Sequence, residues 1–170
     1  MSDQSASALG QVIALLGGFL IVAVIIGIIL YILASLGLYT MAKNKGLNNP
    51  WMTWIPYLRN YKFGEILNDK VSIAGLQIPA ARWVMVCAPI VLSLLANIRS
   101  DSTAIVTVTG ILTIVYYIYL MAANYRLYKL YKPESAVLYT VLTVIFAFLG
   151  SIFTFTLRNN EPQEYLDNVQ

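Results

Sequence analysis

Histidine is absent from this 170-residue chain, and cysteine occurs once, as Cys87. Without histidine, the commonest general base near neutral pH and the commonest metal ligand are both missing. A single cysteine cannot close an internal disulfide, and Cys87 lies within an apolar run, where it reads as a small hydrophobe. Charge is also scarce. Only 11% of residues are Asp, Glu, Lys or Arg, against roughly a quarter in a soluble domain. The apolar segments contain no acidic residue, which argues against carriers that use a membrane carboxylate and against intramembrane aspartyl proteolysis. Clustered metal ligands, phosphate-cradling glycine loops and dinucleotide fingerprints are missing as well. Ser35, Ser93 and Ser151 lack a histidine base. Lys70 and Arg82 leave a Ser–Lys pairing formally open, but no spacing points to one. The sequence therefore predicts no catalytic residue, no metal and no cofactor.

What the chain has is hydrophobicity: 59% apolar residues and a mean hydropathy of +0.70. This composition predicts an all-α polytopic membrane protein with four transmembrane helices, forming one integral domain over residues 1–170. Residues 11–42 carry no charge and exceed the ~20 helical residues that a bilayer requires. The first ten residues hold Asp3 and no base, and the apolar run after them is too long for an h-region, so the first span is expected to persist in the mature protein. Ala14 with Gly18, and Ala23 with Gly27, put small residues four apart. That spacing permits close helix packing, although glycine and alanine are common in membrane helices anyway. The second span is placed over 78–98, with Pro89 as a kink, Arg82 snorkelling to the headgroups and Trp83 at the interface. Residues 99–103 form a polar turn, and the third span follows over 104–123. The fourth covers 136–157, before an acidic extracytoplasmic tail, 158–170.

The long polar interval runs from Lys43 to Arg82. Asn49 is placed as the N-cap and Pro50 at the first position of a short interfacial amphipathic helix. Trp51 and Trp54 would share one face of it, with Tyr57 and Tyr61 extending the aromatic side. Lys43, Lys45, Arg59 and Lys62 flank these rings. A second polar segment, residues 124–135, continues the third helix, with Tyr125, Tyr128 and Tyr131 each followed by a base: Arg126, Lys129 and Lys132. If loop 43–77 is cytoplasmic, so is turn 124–135, and together with Arg82 they hold nine of the eleven bases. The positive-inside rule then sets both termini outside. The two readings of this surface are an aromatic belt that anchors helices, or a platform that recognises anionic lipid or a partner.

The stretch L-Y-T-M-A-K-N-K-G-L-N-N-P-W-M-T-W-I-P-Y-L-R-N-Y-K-F-G-E-I resembles the pattern of small multi-pass bacterial membrane proteins, mostly Gram-positive. In that pattern a Lys- and Gly-bearing helix end precedes a Trp, an I-P step and a run to G-x-I. Residues 125–162 resemble the C-terminal part of such proteins. The resemblance implies a bacterial cell membrane and supplies no catalytic residues.

These readings converge on a non-enzymatic accessory or scaffold subunit. Its expected partners are the bilayer, with anionic lipid at the cytoplasmic face, and other membrane subunits or a second copy; nucleic acid is excluded. The alternative is an oligomeric pore or transporter subunit, with Thr103, Thr107, Thr109 and Thr113 lining the path. The competing role for those hydroxyls is interhelical hydrogen bonding. A membrane-embedded enzyme using Cys87 or Ser93 ranks below both.

Overall fold

The computed structural model describes residues 3–73, 75–98 and 103–163, with side chains from Gly10 onward. The chain is mostly helical. Helix α1 (Asp3–Asn44) is a continuous rod, about 63 Å long at 1.5 Å per residue. Its side chains are exposed from Gly10 to Ile29, apart from a partly covered Gly17. From Leu30 on, the rod packs against the rest of the molecule. Gly46 ends it in the left-handed conformation (φ +67°), and the Leu47 amide donates back to the Ala42 carbonyl. This is a Schellman-type stop, which glycine enters without a Cβ penalty.

A 3-10 turn over Pro50–Trp54 and helix α2 (Leu58–Ile66) follow. Asn49 occupies the N-cap position of the turn with Pro50 first in it, as the sequence predicts. Asn49 is left-handed, however, and its side chain makes no capping bond. Beyond α2 the helical expectation fails locally. Strands β1 (Val71–Ile73) and β2 (Leu76–Ile78) form an antiparallel hairpin with Val71 opposite Ile78. The β-branched residues on either side of Gly75, itself at φ +84°, favour this pairing.

Helix α3 (Ala81–Asn97) begins later than the position 78 expected for it, and its Arg82 does not snorkel. The Asp69 carboxylate accepts from the Arg82 amide (3.1 Å) and from Nε (2.6 Å), so it caps α3 from across the hairpin. The polar turn expected over residues 99–103 lies, as far as residue 102, outside the described residues. Helix α4 (Thr103–Tyr131) is antiparallel to α3 and continues unbroken through Asn124, as the spacing predicts.

The fourth expected span is corrected. Residues 136–157 do not make one helix but two, α5 (Ala136–Ile145) and α6 (Leu149–Thr156), folded against each other. Tyr139 stacks on Phe153 at 4.1 Å, and a Cβ built on Gly150 would lie 3.1 Å from the Thr143 methyl. Each helix is about 15 Å long or less, half of a ~30 Å hydrocarbon layer. After α6 the chain returns to where it left. Asn160 Nδ2 donates to the Tyr131 carbonyl (3.0 Å), and the Gln163 amide donates to that of Leu130 (2.7 Å). The start of the expected outer tail, 158–163, therefore lies beside the end of α4; residues 164–170 lie outside the described residues.

The core gathers at this same end. Leu38, Met41, Ile66, Leu67, Val71, Met85, Leu127, Tyr128 and Leu157 are buried together. Two helices, Gly10–Asn44 and Thr103–Tyr131, are long and apolar enough to cross a membrane.

Candidate functional site

The packed end carries every Lys and Arg among the described residues, but not all of them face outward. Lys62 is buried. Its Nζ donates to the Asn48 carbonyl and pairs with Glu65 at 2.6 Å. Glu65 also lies 3.9 Å from Arg82, which pairs with Asp69. Lys45 is half-buried and holds the Ile66 carbonyl (3.0 Å) and the Asn68 side chain (2.8 Å). These lysines fasten the polar interval to the helix ends. Lys62, being buried, presents no charge to a surface, which corrects the role expected of it.

Tyr128 is corrected in the same way. It is fully buried, bonds Thr143 at 3.0 Å, and meets Tyr139 and Phe153 edge-on. Tyr131 is buried too. The three-residue tyrosine spacing thus winds around α4: at 100° per residue, positions 125 and 128 diverge by about 60°. Only Tyr125 stays on the outer side.

The surface that remains consists of Lys43, Trp51, Trp54, Tyr57, Lys70 and Tyr125, with Arg126, Lys129 and Lys132 partly covered. Tyr61 is half-buried and edge-on to Trp83 at 5.6 Å, with Arg82 over its ring. Lys132 lies 5.7 Å from the Tyr139 ring. Between the β-hairpin and α4 a cavity of about 520 Å³ opens, lined by Ser72, Gln77, Tyr125, Arg126 and Lys129. Arg126 is oriented by its Nε–H, which donates to the Leu67 carbonyl at 3.1 Å. Two cations, an amide and a hydroxyl thus stand around one opening, donors whose chemistry matches the oxygens of an anionic group. Arg126 and Lys129 come from the α4 stripe singled out in the sequence. Ser72 and Gln77 were not foreseen, because the hairpin that presents them has only three residues per strand.

The small-residue pairs of α1 meet no other element among the described residues. A Cβ on Gly18 or Gly27 would meet nothing within 4 Å, and Ala14 and Ala23 are exposed. No group of three metal-ligating side chains exists among the described residues. Cys87 is exposed on α3. The threonines of α4 are engaged with their own helix: Thr107 Oγ1 donates to the Thr103 carbonyl and Thr113 Oγ1 to that of Thr109, each at 2.8 Å.

No protein-family model, characterised protein or solved structure matches the chain.

Proposed function

We propose that this is a non-enzymatic integral membrane protein, an accessory or scaffold subunit of a cell membrane, whose packed basic end faces the cytoplasm and engages anionic headgroups. The observation that carries this reading is the cavity bounded by Tyr125, Arg126 and Lys129. Its cations stand beside an aromatic ring at the end of a long apolar helix, the arrangement that suits charges at phosphates and rings among headgroups.

The folded-back α5–α6 pair supports a topology different from four spans. α1, α3 and α4 would cross, and α5–α6 would enter and leave by one face. The N-terminus would then be outside, with Leu157–Gln163 on the cytoplasmic side. Every base but Arg99 would be cytoplasmic, an asymmetry stronger than the four-span arrangement allows. The uncovered face of α1, with Ala14, Gly18, Ala23 and Gly27, is available to another subunit or a second copy.

The test is reconstitution in nanodiscs of mixed neutral and anionic phospholipid, with the retained lipid identified by mass spectrometry. Anionic lipid should be enriched around the wild-type chain, and the enrichment should fall in the Arg126→Gln, Lys129→Gln double variant. Equal enrichment in both overturns the proposal.

A further inference from the structure

A second cavity, of about 220 Å³, lies between α1, α2, α4 and the α5–α6 hairpin, and Arg59, Asn60, Asn124, Thr143 and Ser151 are in its wall. It contains one formal charge, Arg59, and no carboxylate. Arg59 is half-buried, with its guanidinium 4.8 Å from the Tyr31 ring centre. Loss of solvent pulls its pKa below the ordinary value, and Tyr31 offsets part of that. The group stays charged at every working pH.

Arg59 differs from the other described arginines in having no acceptor. Lys62 has Glu65, Arg82 has Asp69, Lys45 has the Ile66 carbonyl, Arg126 has that of Leu67, and Arg158 donates to that of Phe155. Among the described residues no oxygen accepts from the Arg59 guanidinium, whose one partner is the Tyr31 ring. A guanidinium presents five donors in a planar fork that matches the oxygens of a phosphate or carboxylate. Leaving it desolvated and unpaired is costly. The neighbouring groups can add donors. Among the described residues the Ser151 hydroxyl has no partner, and Asn60 commits one amide hydrogen, at 3.3 Å, to the Met85 carbonyl. Asn124 commits one amide hydrogen to the Leu120 carbonyl, and the single Thr143 hydroxyl proton is spent on that of Tyr139.

The cavity's position identifies the source of the anion. Tyr31 is where α1 passes from its exposed apolar stretch into the packed end. Its hydroxyl donates to the Trp54 carbonyl at 2.7 Å, so the half-exposed Trp51 and Trp54 rings belong to the same level. Aromatic side chains at the end of an apolar span mark the headgroup layer. Beside this level, Ile28 and Ile32 leave an uncovered apolar flank on α1.

We propose that the cavity binds one phosphate-bearing anion, the headgroup phosphate of a phospholipid, with Arg59 as the principal ligand, Ser151 and Asn60 as supporting donors, and the acyl chains against α1. This site rests on the membrane placement argued above, but not on the Arg126–Lys129 surface.

Native mass spectrometry of the full chain released from detergent, titrated with phosphatidylglycerol, tests it. One lipid should bind per wild-type chain, and Arg59→Gln should weaken that binding at least tenfold. Ser151→Val, which keeps the arginine, should weaken it severalfold. The Arg126→Gln, Lys129→Gln double variant should retain the single lipid while losing bulk anionic enrichment. Wild-type affinity in both Arg59→Gln and Ser151→Val overturns the site. Thermal unfolding identifies any variant that fails to fold, and the other variant then decides. Calorimetry with inorganic phosphate separates the sources: tight, Arg59-dependent phosphate binding without lipid retention places the anion in solution and overturns the lipid assignment.

Discussion

Tyr139 of α5 and Phe153 of α6 lie face to face, their planes within 5° and their centroids 4.1 Å apart. The two residues are fourteen positions apart in sequence, and a single helix would hold them about 21 Å from one another. Their contact therefore requires the chain to reverse between them. It does so over Phe146–Phe148, where Phe146 leaves helical geometry (φ −126°, ψ 84°). Every later contact keeps that reversal, down to Asn160 on the Tyr131 carbonyl.

The reversal predicts the side on which the C-terminal segment emerges. In a Cys87→Ala background, cysteines introduced at Asn159 and at Gln77, both exposed, should react with an impermeant maleimide from the same face of sealed vesicles. A cysteine at Gly10, also exposed, should react from the opposite face. Labelling of Asn159→Cys from the Gly10 side would restore a fourth crossing and remove the re-entrant hairpin.

The sequence shows why this was hard to foresee. Hydropathy over residues 136–157 is uniformly high, with no charge and no proline, so length alone suggests a span. Phe146, Ala147 and Phe148 carry no turn chemistry. The local signal is Gly150, whose missing side chain admits Thr143, and a lone glycine in an apolar run is too common to read that way. The long helices, by contrast, were legible because their apolar runs end in recognisable stops, Gly46 for α1 and Pro133 after α4. In the candidate site, residue type was readable and direction was not. Arg126 and Lys129 reach the surface, whereas Tyr128 and Lys62 turn inward for partners, Thr143 and Glu65, that lie on other elements or depend on local folding.

The crossing of α1 on α6 sets a second expectation. A Cβ on Gly37 would come within 2.8 Å of the Thr154 carbonyl carbon and oxygen. Because backbone cannot step aside as a flexible side chain does, Gly37→Ala should destabilise the chain by about 1–3 kcal/mol. Gly27→Ala, with open space around it, should leave the isolated chain unchanged or stabilise α1 by about 0.5–1 kcal/mol. Chemical unfolding in detergent micelles distinguishes the two. A loss at Gly27 that appears only in the bilayer would show a partner helix on that face.

Lys62 and Glu65 predict an asymmetric pair of variants. Glu65→Gln leaves the buried Lys62 ammonium with neutral acceptors alone, the Asn48 carbonyl and the glutamine's own amide oxygen, and removing the counter-charge of a buried ion costs about 3–5 kcal/mol. Lys62→Met removes that charge, and Glu65 keeps Arg82 at 3.9 Å. Unfolding measurements should rank Glu65→Gln as the more damaging, with Lys62→Met, Glu65→Gln milder than Glu65→Gln alone. The reverse order would mean that the ammonium is stabilised mainly by the carbonyl.

The hydroxyls of α4 supply the test of a pore. A threonine that lines a water-filled path can offer both its proton and its oxygen to the permeating species, and Thr107 and Thr113 spend the proton on carbonyls four residues back in their own helix. Such back-bonding lets a hydroxyl sit against hydrocarbon with little penalty, because no donor is left unsatisfied. It also gives these residues a function that needs neither a channel nor a second helix. Replacing Thr107 and Thr113 together by Val, close in shape and lacking only the hydroxyl, should therefore leave folding within about 1 kcal/mol of wild type. Ion flux through liposomes carrying the purified protein should be equally low before and after the change. A conductance that is present in the wild type and disappears in the double variant would reverse the argument. The α4 hydroxyls would then face a shared axis between copies, and the chain would be a pore subunit instead of a scaffold.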